Sequence, residues 1–180
     1  MKRNSVYIAT SIDGYIADAN GSIDWLHSVP NPDNSDMGYG AFTSEIDAIV
    51  MGRNTFDTVH GFDMDWPYEK PVFVLSNTMT LIPESLKGKV FLVKGGLKAV
   101  LSEIHALGFE RLYVDGGATI QNFLKEDLID DLYLTTIPIL LGGGIPLFAK
   151  LTAVQAFELK SSKVLIKQLV QSHFVRNRKK

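Results

Sequence analysis

The chain contains no cysteine. Disulfides, thiol nucleophiles and cysteine-ligated zinc or iron–sulfur centres are thereby excluded, and a reducing compartment fits the composition. No stretch approaches the ~18 consecutive apolar residues of a membrane helix. Met1-Lys2-Arg3 resembles the start of a signal peptide, but the apolar run behind it stops at Asp13 and no small-residue cleavage site follows. The expectation is a cytoplasmic protein with no membrane partner. An excess of either charge is missing too: 18 Lys and Arg stand against 20 Asp and Glu, so there is no electrostatic footprint for nucleic acid. His27, His60, His105 and His173 show no H-x-x-x-H or H-x-H spacing, and no metal site is expected. A G-x-S-x-G elbow is absent, which argues against a hydrolase. No repeat or low-complexity tract occurs.

What is there has globular proportions: 180 residues, 46% hydrophobic and 21% charged. A chain of that length buries ~70% of its unfolded surface, enough for one core, and a single domain over 1–180 is expected. Short apolar runs recur at Val6–Ala9, Ala48–Met51, Val72–Leu75, Val90–Val93, Leu112–Val114 and Leu132–Ile137. Bounded by Gly, Pro or Asp and rich in Val and Ile, they suit buried strands. Between them, Leu97, Val100, Leu101 and Ile104 share one helical face, as do Ile120, Phe123 and Leu124. Such alternation predicts a largely parallel sheet covered on both faces. At the end, Phe157–Lys160 and Val164–Gln171 predict an antiparallel hairpin turning at Ser161-Ser162-Lys163. The basic tail Arg176–Lys180 is expected to be a solvated terminus. The polar stretch Ser28–Gly40 predicts a long surface loop.

Four strand exits could carry chemistry, because ligands of open α/β sheets bind beyond the carboxyl ends of the strands. Val114-Asp115-Gly116-Gly117-Ala118-Thr119 runs from strand to helix through two glycines. It offers unpaired helix N–H groups to an anion such as a pyrophosphate, although a plain tight turn would look the same. Met51-Gly52-Arg53-Asn54-Thr55 repeats the layout with a guanidinium suited to phosphate; an exposed Arg beside a capping Thr is the bland alternative. Ser76-Asn77 ends a third strand. Ala9–Ala17 leads the first strand into a turn at Gly14. Gly142-Gly143-Gly144 is either a further phosphate loop or a bulged connection, and Gly95-Gly96 a helix-start turn.

These segments, in this order, resemble the dihydrofolate reductase-like fold. Ser11–Ala17, Met51–Phe56, Val72–Ser76, Asp115–Gly117 and Leu132–Thr135 carry the likeness. Asp24-Trp25-Leu26 and the run Ile137-Pro138…Gly142-Gly143-Gly144-Ile145-Pro146-Leu147-Phe148 bring it closest to the riboflavin-biosynthesis reductase branch, the RibD C-terminal domain. The resemblance covers Val6 to about Arg176. It implies a three-layer α/β/α protein with a mixed, mostly parallel sheet and a C-terminal antiparallel hairpin. It further implies NADPH-dependent reduction of a small-molecule substrate, a pyrimidine such as 5-amino-6-(5-phosphoribosylamino)uracil. By position, Ala9 and Ile16 would meet the nicotinamide; Gly52, Arg53, Asn54 and Thr55 would hold phosphates, with Arg53 at the 2′-phosphate. Ser76 would lie by the adenosine, and Gly116, Gly117, Ala118 and Thr119 at the pyrophosphate. Thr135 matches a substrate-holding Thr of folate reductases, and Asp36 is the one acid near the spacing of their catalytic carboxylate. A homodimer through Val164–Phe174 is implied as well.

The chain departs from the pattern in three places. Asp115 stands where the family has a glycine. Asp36 sits in a turn-rich stretch where it could instead cap the helix carrying Tyr39, Phe42 and Ile46. The H-x-E and P-C-x-x-C half of a bifunctional deaminase–reductase is not present. Two rival readings stay open: a true dihydrofolate reductase, and a nucleotide-binding protein without turnover.

Overall fold

The computed structural model describes residues 1–179. In chain order the elements are β1 (Arg3–Ser11), β2 (Tyr15–Ala17), α1 (Tyr39–Ser44), β3 (Ala48–Gly52), α2 (Arg53–His60), β4 (Val72–Leu75) and β5 (Val90–Val93). They continue with α3 (Leu97–Ala106), β6 (Arg111–Asp115), α4 (Gly117–Lys125), β7 (Asp131–Ile137), β8 (Ile145–Pro146), β9 (Phe157–Leu165) and β10 (Leu169–Arg176). Eight strands form one sheet in the order β5-β4-β3-β6-β1-β7-β10-β9; β2 and β8 pair separately. β5 through β7 run parallel, and β10 and β9 close one side antiparallel.

The apolar runs become the central strands because only a strand buried on both faces can use every side chain. Ala48, Val50, Val72, Val74, Leu112 and Val114 are fully buried. On one face Val100, Leu101 and Ile104 of α3 and Ile120, Phe123 and Leu124 of α4 pack against Val6, Val50 and Val114. On the other, Phe42 and Ile46 of the α1 region and Phe56 of α2 pack against Ile49, Met51 and Tyr113. Helices thus cover both faces, and the expected layering is observed. Among the described residues no helix is long and apolar enough to cross a membrane.

The C-terminal hairpin differs from expectation in its turn. Ser161, Ser162 and Lys163 lie inside β9, opposite His173, Ser172 and Gln171. The chain reverses instead at Ile166 (φ 40°) and Lys167 (φ 67°), and Gln168 N donates to Leu165 O at 3.0 Å. Two left-handed central residues match the twist of the flanking strands, but this turn normally takes Asn and Gly, so Ile-Lys gave no signal. The edge strand is consequently β9, while the Val164–Phe174 stretch lies mostly in β10, which has a partner on each side. The basic tail is not a free solvated terminus either. The Arg176 side chain is 7% exposed and its guanidinium holds Asp127 at 2.6 Å, and Arg178 reaches Asp130 at 2.7 Å. Lys180 lies outside the described residues.

Candidate functional site

Adjacent parallel strands β3 and β6 end side by side, and the helices that follow them leave on opposite faces. That divergence opens a crevice at the carboxyl ends of the strands, where α/β folds place their ligands. A cleft of about 920 Å³ occupies it. Ala9, Ile16, Gly52, Arg53, Asn54, Thr55, Ser76, Gly116, Gly117, Ala118 and Thr119 all line this cleft. Four separate strand exits are therefore one site.

The floor is two helix N-termini facing each other. α2 begins at Arg53 and α4 at Gly117, and neither start has a side-chain cap. Their first N–H groups are free for an anion, and both dipoles favour negative charge. The approach is close enough to dictate sequence. Gly116 has φ +88°, and a Cβ there would stand 2.1 Å from Thr55 Oγ1. A Cβ on Gly52 would meet Thr119 Oγ1 at 2.9 Å. At Gly117 it would press on the Ile16 Cδ1 tip at 2.6 Å, which can swing aside, with Ile145 Cγ2 at an ordinary contact distance of 3.6 Å. A backbone cradle without side chains, at paired helix starts, fits a pyrophosphate. Arg53 is half exposed, pairs with Asp57 at 3.1 Å and reaches Thr78 Oγ1 at 3.4 Å. A surface pair of this kind is worth at most ~1 kcal/mol, so the guanidinium is free to turn to a ligand phosphate. Gly95, Gly96 and Leu97 also line the cleft, so the second glycine pair does more than start α3.

Asp115 and Tyr68 line the cleft as well. The Asp115 carboxyl does not face the anion cradle bare. Its Oδ1 accepts the Gly116 N–H at 2.8 Å, and the Tyr68 hydroxyl lies 3.4 Å from Oδ2. Burial pushes its pKa above the usual carboxylate range, against the opposing pull of the Gly116 N–H. Burial, followed by the nearby Asp115 charge, pushes Tyr39 up to about 12 and Tyr68 further upward. A carboxyl that holds its proton more tightly than usual is equipped to donate one. Sequence reading noticed Asp115 only as a misfit beside the cradle, and Tyr68 sits in an aperiodic loop that gave no signal.

The two substrate-side candidates lie elsewhere. Thr135 is buried and accepts Gln171 Nε2 at 3.0 Å, and that amide also donates to Tyr7 Oη at 2.9 Å. It does not line the cleft. Asp36 is exposed, and its oxygens accept the Gly38 and Gly40 N–H groups at 2.9 and 3.0 Å. Those amides hold its carboxyl below the usual range, so at neutral pH it is an ionised loop and helix-start cap with no proton to give. Asp36→Asn is accordingly expected to leave turnover within about twofold and to lower stability only slightly, since Asn caps a helix start about as well as Asp. Steady-state NADPH oxidation alongside thermal melting checks this, and a collapse of activity would restore the folate-reductase reading.

The Gly142–Gly144 loop is a pinned connection, not a second phosphate loop. Asp13 accepts the Leu141 and Gly142 N–H groups at 3.2 and 2.8 Å, and Leu147 N donates to Gly14 O at 2.9 Å. Among the described residues no group of three or more His, Asp or Glu side chains could hold a metal ion.

Residues 5–171 match the protein family described as the RibD C-terminal domain. A crystal structure described as a putative riboflavin biosynthesis protein from Shewanella sp. PV-4 is 57% identical with a TM-score of 0.95, over 99% of this chain and 100% of that one. The 2,5-diamino-6-ribosylamino-4(3H)-pyrimidinone 5′-phosphate reductase of Methanothermobacter thermautotrophicus is 26% identical over 172 residues, 75% of this chain and 77% of the relative. The dihydrofolate reductase of Enterococcus faecalis, whose structure contains NADP(H), shares the fold: 17% identity and a TM-score of 0.64, over 97% of this chain and 96% of that one.

Proposed function

Because the chain belongs to the RibD C-terminal domain family, we propose that it is an NADPH-dependent reductase of a small nitrogen heterocycle of the riboflavin-pathway aminopyrimidine type. The observation that carries this reading is the cleft at the ends of β3 and β6, with an anion cradle at its centre and, beside it, a carboxyl whose pKa burial raises. The relative from Methanothermobacter, named as a pyrimidinone phosphate reductase, supports the reaction class. The Enterococcus fold neighbour, holding NADP(H), supports the cofactor class. When bound, the reduced nicotinamide would supply the hydride.

The chain's own residues would do the rest. The N–H groups at Gly117–Thr119 and Arg53–Thr55 would hold the pyrophosphate. Arg53 would turn from Asp57 to the 2′-phosphate. Ala9 and Ile16, both apolar, would flank the nicotinamide and exclude water. Asp115 would deliver the proton that balances the hydride, with Tyr68 orienting it.

Arg53→Ala tests the cofactor assignment. Loss of a charge-assisted contact costs ~1.5–3 kcal/mol, or roughly ten- to a hundredfold in affinity. NADPH binding should weaken by that factor while NADH binding barely changes; equal weakening of both removes Arg53 from the 2′-phosphate. Self-association belongs to the same reading. Leu159, Val164 and Val170 lie on one face of the hairpin at 58%, 66% and 43% exposure. Light scattering at micromolar concentration should give twice the chain mass, and a monomer contradicts it.

A further inference from the structure

At the other end of the sheet lies a second cavity, of about 570 Å³, that shares no lining residue with the cleft. That volume is within the range of small-molecule sites. Three of its lining residues, Arg3, Arg111 and Asp131, are the first residues of β1, β6 and β7, so it sits at the amino ends of the parallel strands. α1 lines one side, and β10 and β9 line the other.

The acids of this cavity are already engaged. Asp131, its side chain 7% exposed, accepts two bonds from the Arg3 guanidinium at 2.7 and 2.8 Å and contacts His173 Nε2 at 2.9 Å. Glu45 pairs with Arg111. The groups left over can donate. With Nε2 on Asp131, the His173 ring is fixed, and among the described residues its Nδ1 has no hydrogen-bond partner. The Tyr133 hydroxyl has none either, and its ring stacks on His173 with centroids 4.0 Å apart. Lys163 stands opposite Gln171 in the register, which makes it a diagonal neighbour of His173 on the same face. Asp36 is near enough to feel the Lys163 charge but beyond ion-pair distance.

Lys160 joins this group through a break in strand geometry. Three residues from Lys163, it would face the opposite side of a regular strand. Ser161 lies opposite His173, however, and Leu159 opposite Phe174, so Lys160 is the extra residue of a bulge. A bulge re-aims a side chain, and Lys160 lines the same cavity as Lys163 and His173. Its ion pair with Glu158, at 3.3 Å, is half exposed on both sides and weak for that reason. The lining thus holds four Lys and Arg against two acids, without counting His173. Such an excess draws anions.

We propose that this cavity is a second binding site, for a phosphate monoester with a small flat body. The phosphate is held by Lys163, Lys160 and His173 Nδ1, and the body lies against the packed rings of Tyr7, Phe42 and Tyr133. The paired residues Val164 and Val170 are on the other face of the hairpin, so self-association there leaves the cavity open.

The test titrates phenyl phosphate, and separately inorganic phosphate, into the full chain carrying ¹³C-labelled histidine. Affinity is read by NMR from the His173 ring signals, assigned by their loss in His173→Gln. Those signals should move saturably, at severalfold lower concentration with phenyl phosphate than with inorganic phosphate. Lys163→Ala should weaken that affinity about tenfold or more, the scale of one charge-assisted contact, and Lys160→Ala severalfold. Both lysines are exposed, so both variants should fold. Arg53→Ala, in the distant cleft, should leave it unchanged. His173 signals that stay still at millimolar phenyl phosphate overturn the proposal, as does an affinity that Arg53→Ala lowers and Lys163→Ala does not. Inorganic phosphate binding as tightly as phenyl phosphate overturns the monoester assignment.

Discussion

Asp115→Asn is expected to lower kcat by ~10²–10⁴-fold, the usual contribution of a positioned general acid. NADPH affinity should stay within a few fold, because Asn can still accept the Gly116 N–H. The pH dependence gives the signature. Asp115 has a raised pKa, so the wild-type rate should fall as pH rises through that raised value, and the variant should lack this limb. Stability follows the same linkage. Between the ordinary carboxylate pKa and the raised one, the folded chain holds a proton that the unfolded chain has released. Stability must therefore decline as pH rises through this window. The asparagine variant should lose that decline in denaturant melts across the window. Unchanged turnover would remove Asp115 from the reaction.

Gly116→Val should all but eliminate cofactor binding. The residue has φ +88° and ψ 135°, a conformation essentially reserved to glycine, where an L side chain costs on the order of 1–3 kcal/mol, and its Cβ would fall 2.1 Å from Thr55 Oγ1. The Thr55 side chain, whose Cβ would also stand at 3.2 Å, must turn or shift before that atom fits. NADPH affinity should drop by at least ~100-fold, with melting temperature lowered but folding preserved. Gly117→Ala is the informative companion, since the one tight contact of its Cβ is the end of the Ile16 side chain, which can rotate away; it should cost far less. Loss of the same size at both positions would mean that obstruction of the ligand, and not the strand–helix packing, governs the turn.

Much of the fold was legible in the sequence because buried parallel strands leave little choice of residue. Ala48–Met51 and Val72–Val74 must be apolar on both faces, and both were found within a residue of their ends. The backbone cradle was legible for the same kind of reason: a close backbone approach demands glycine, and Gly52 and Gly116 announce it. The proton donor proposed for it was not, since a buried carboxyl differs from a surface one only in what surrounds it. Burial raises the Asp115 pKa, while the Gly116 N–H and the hydroxyl of Tyr68, forty-seven residues away, pull the other way, and no local pattern records that balance. Asp36 illustrates the converse. Its spacing suggested catalysis, but its neighbours Gly38 and Gly40 supply the amides that make it a cap. The hairpin turn was misplaced because Ile166-Lys167 takes a conformation that its residue types disfavour.

The central claim is that a hydride passes from the reduced nicotinamide to an aminopyrimidine held against Asp115. Its most direct test is single-turnover incubation of the protein with NADPH deuterated at the transferring carbon and 2,5-diamino-6-ribosylamino-4(3H)-pyrimidinone 5′-phosphate, followed by mass spectrometry. The account predicts a reduced pyrimidine carrying the deuterium, with an equal amount of NADP⁺, and loss of both in Asp115→Asn. NADPH that binds saturably but stays unoxidised with this compound, its unphosphorylated form and a dihydropterin alike would contradict it, leaving a nucleotide-binding protein without turnover.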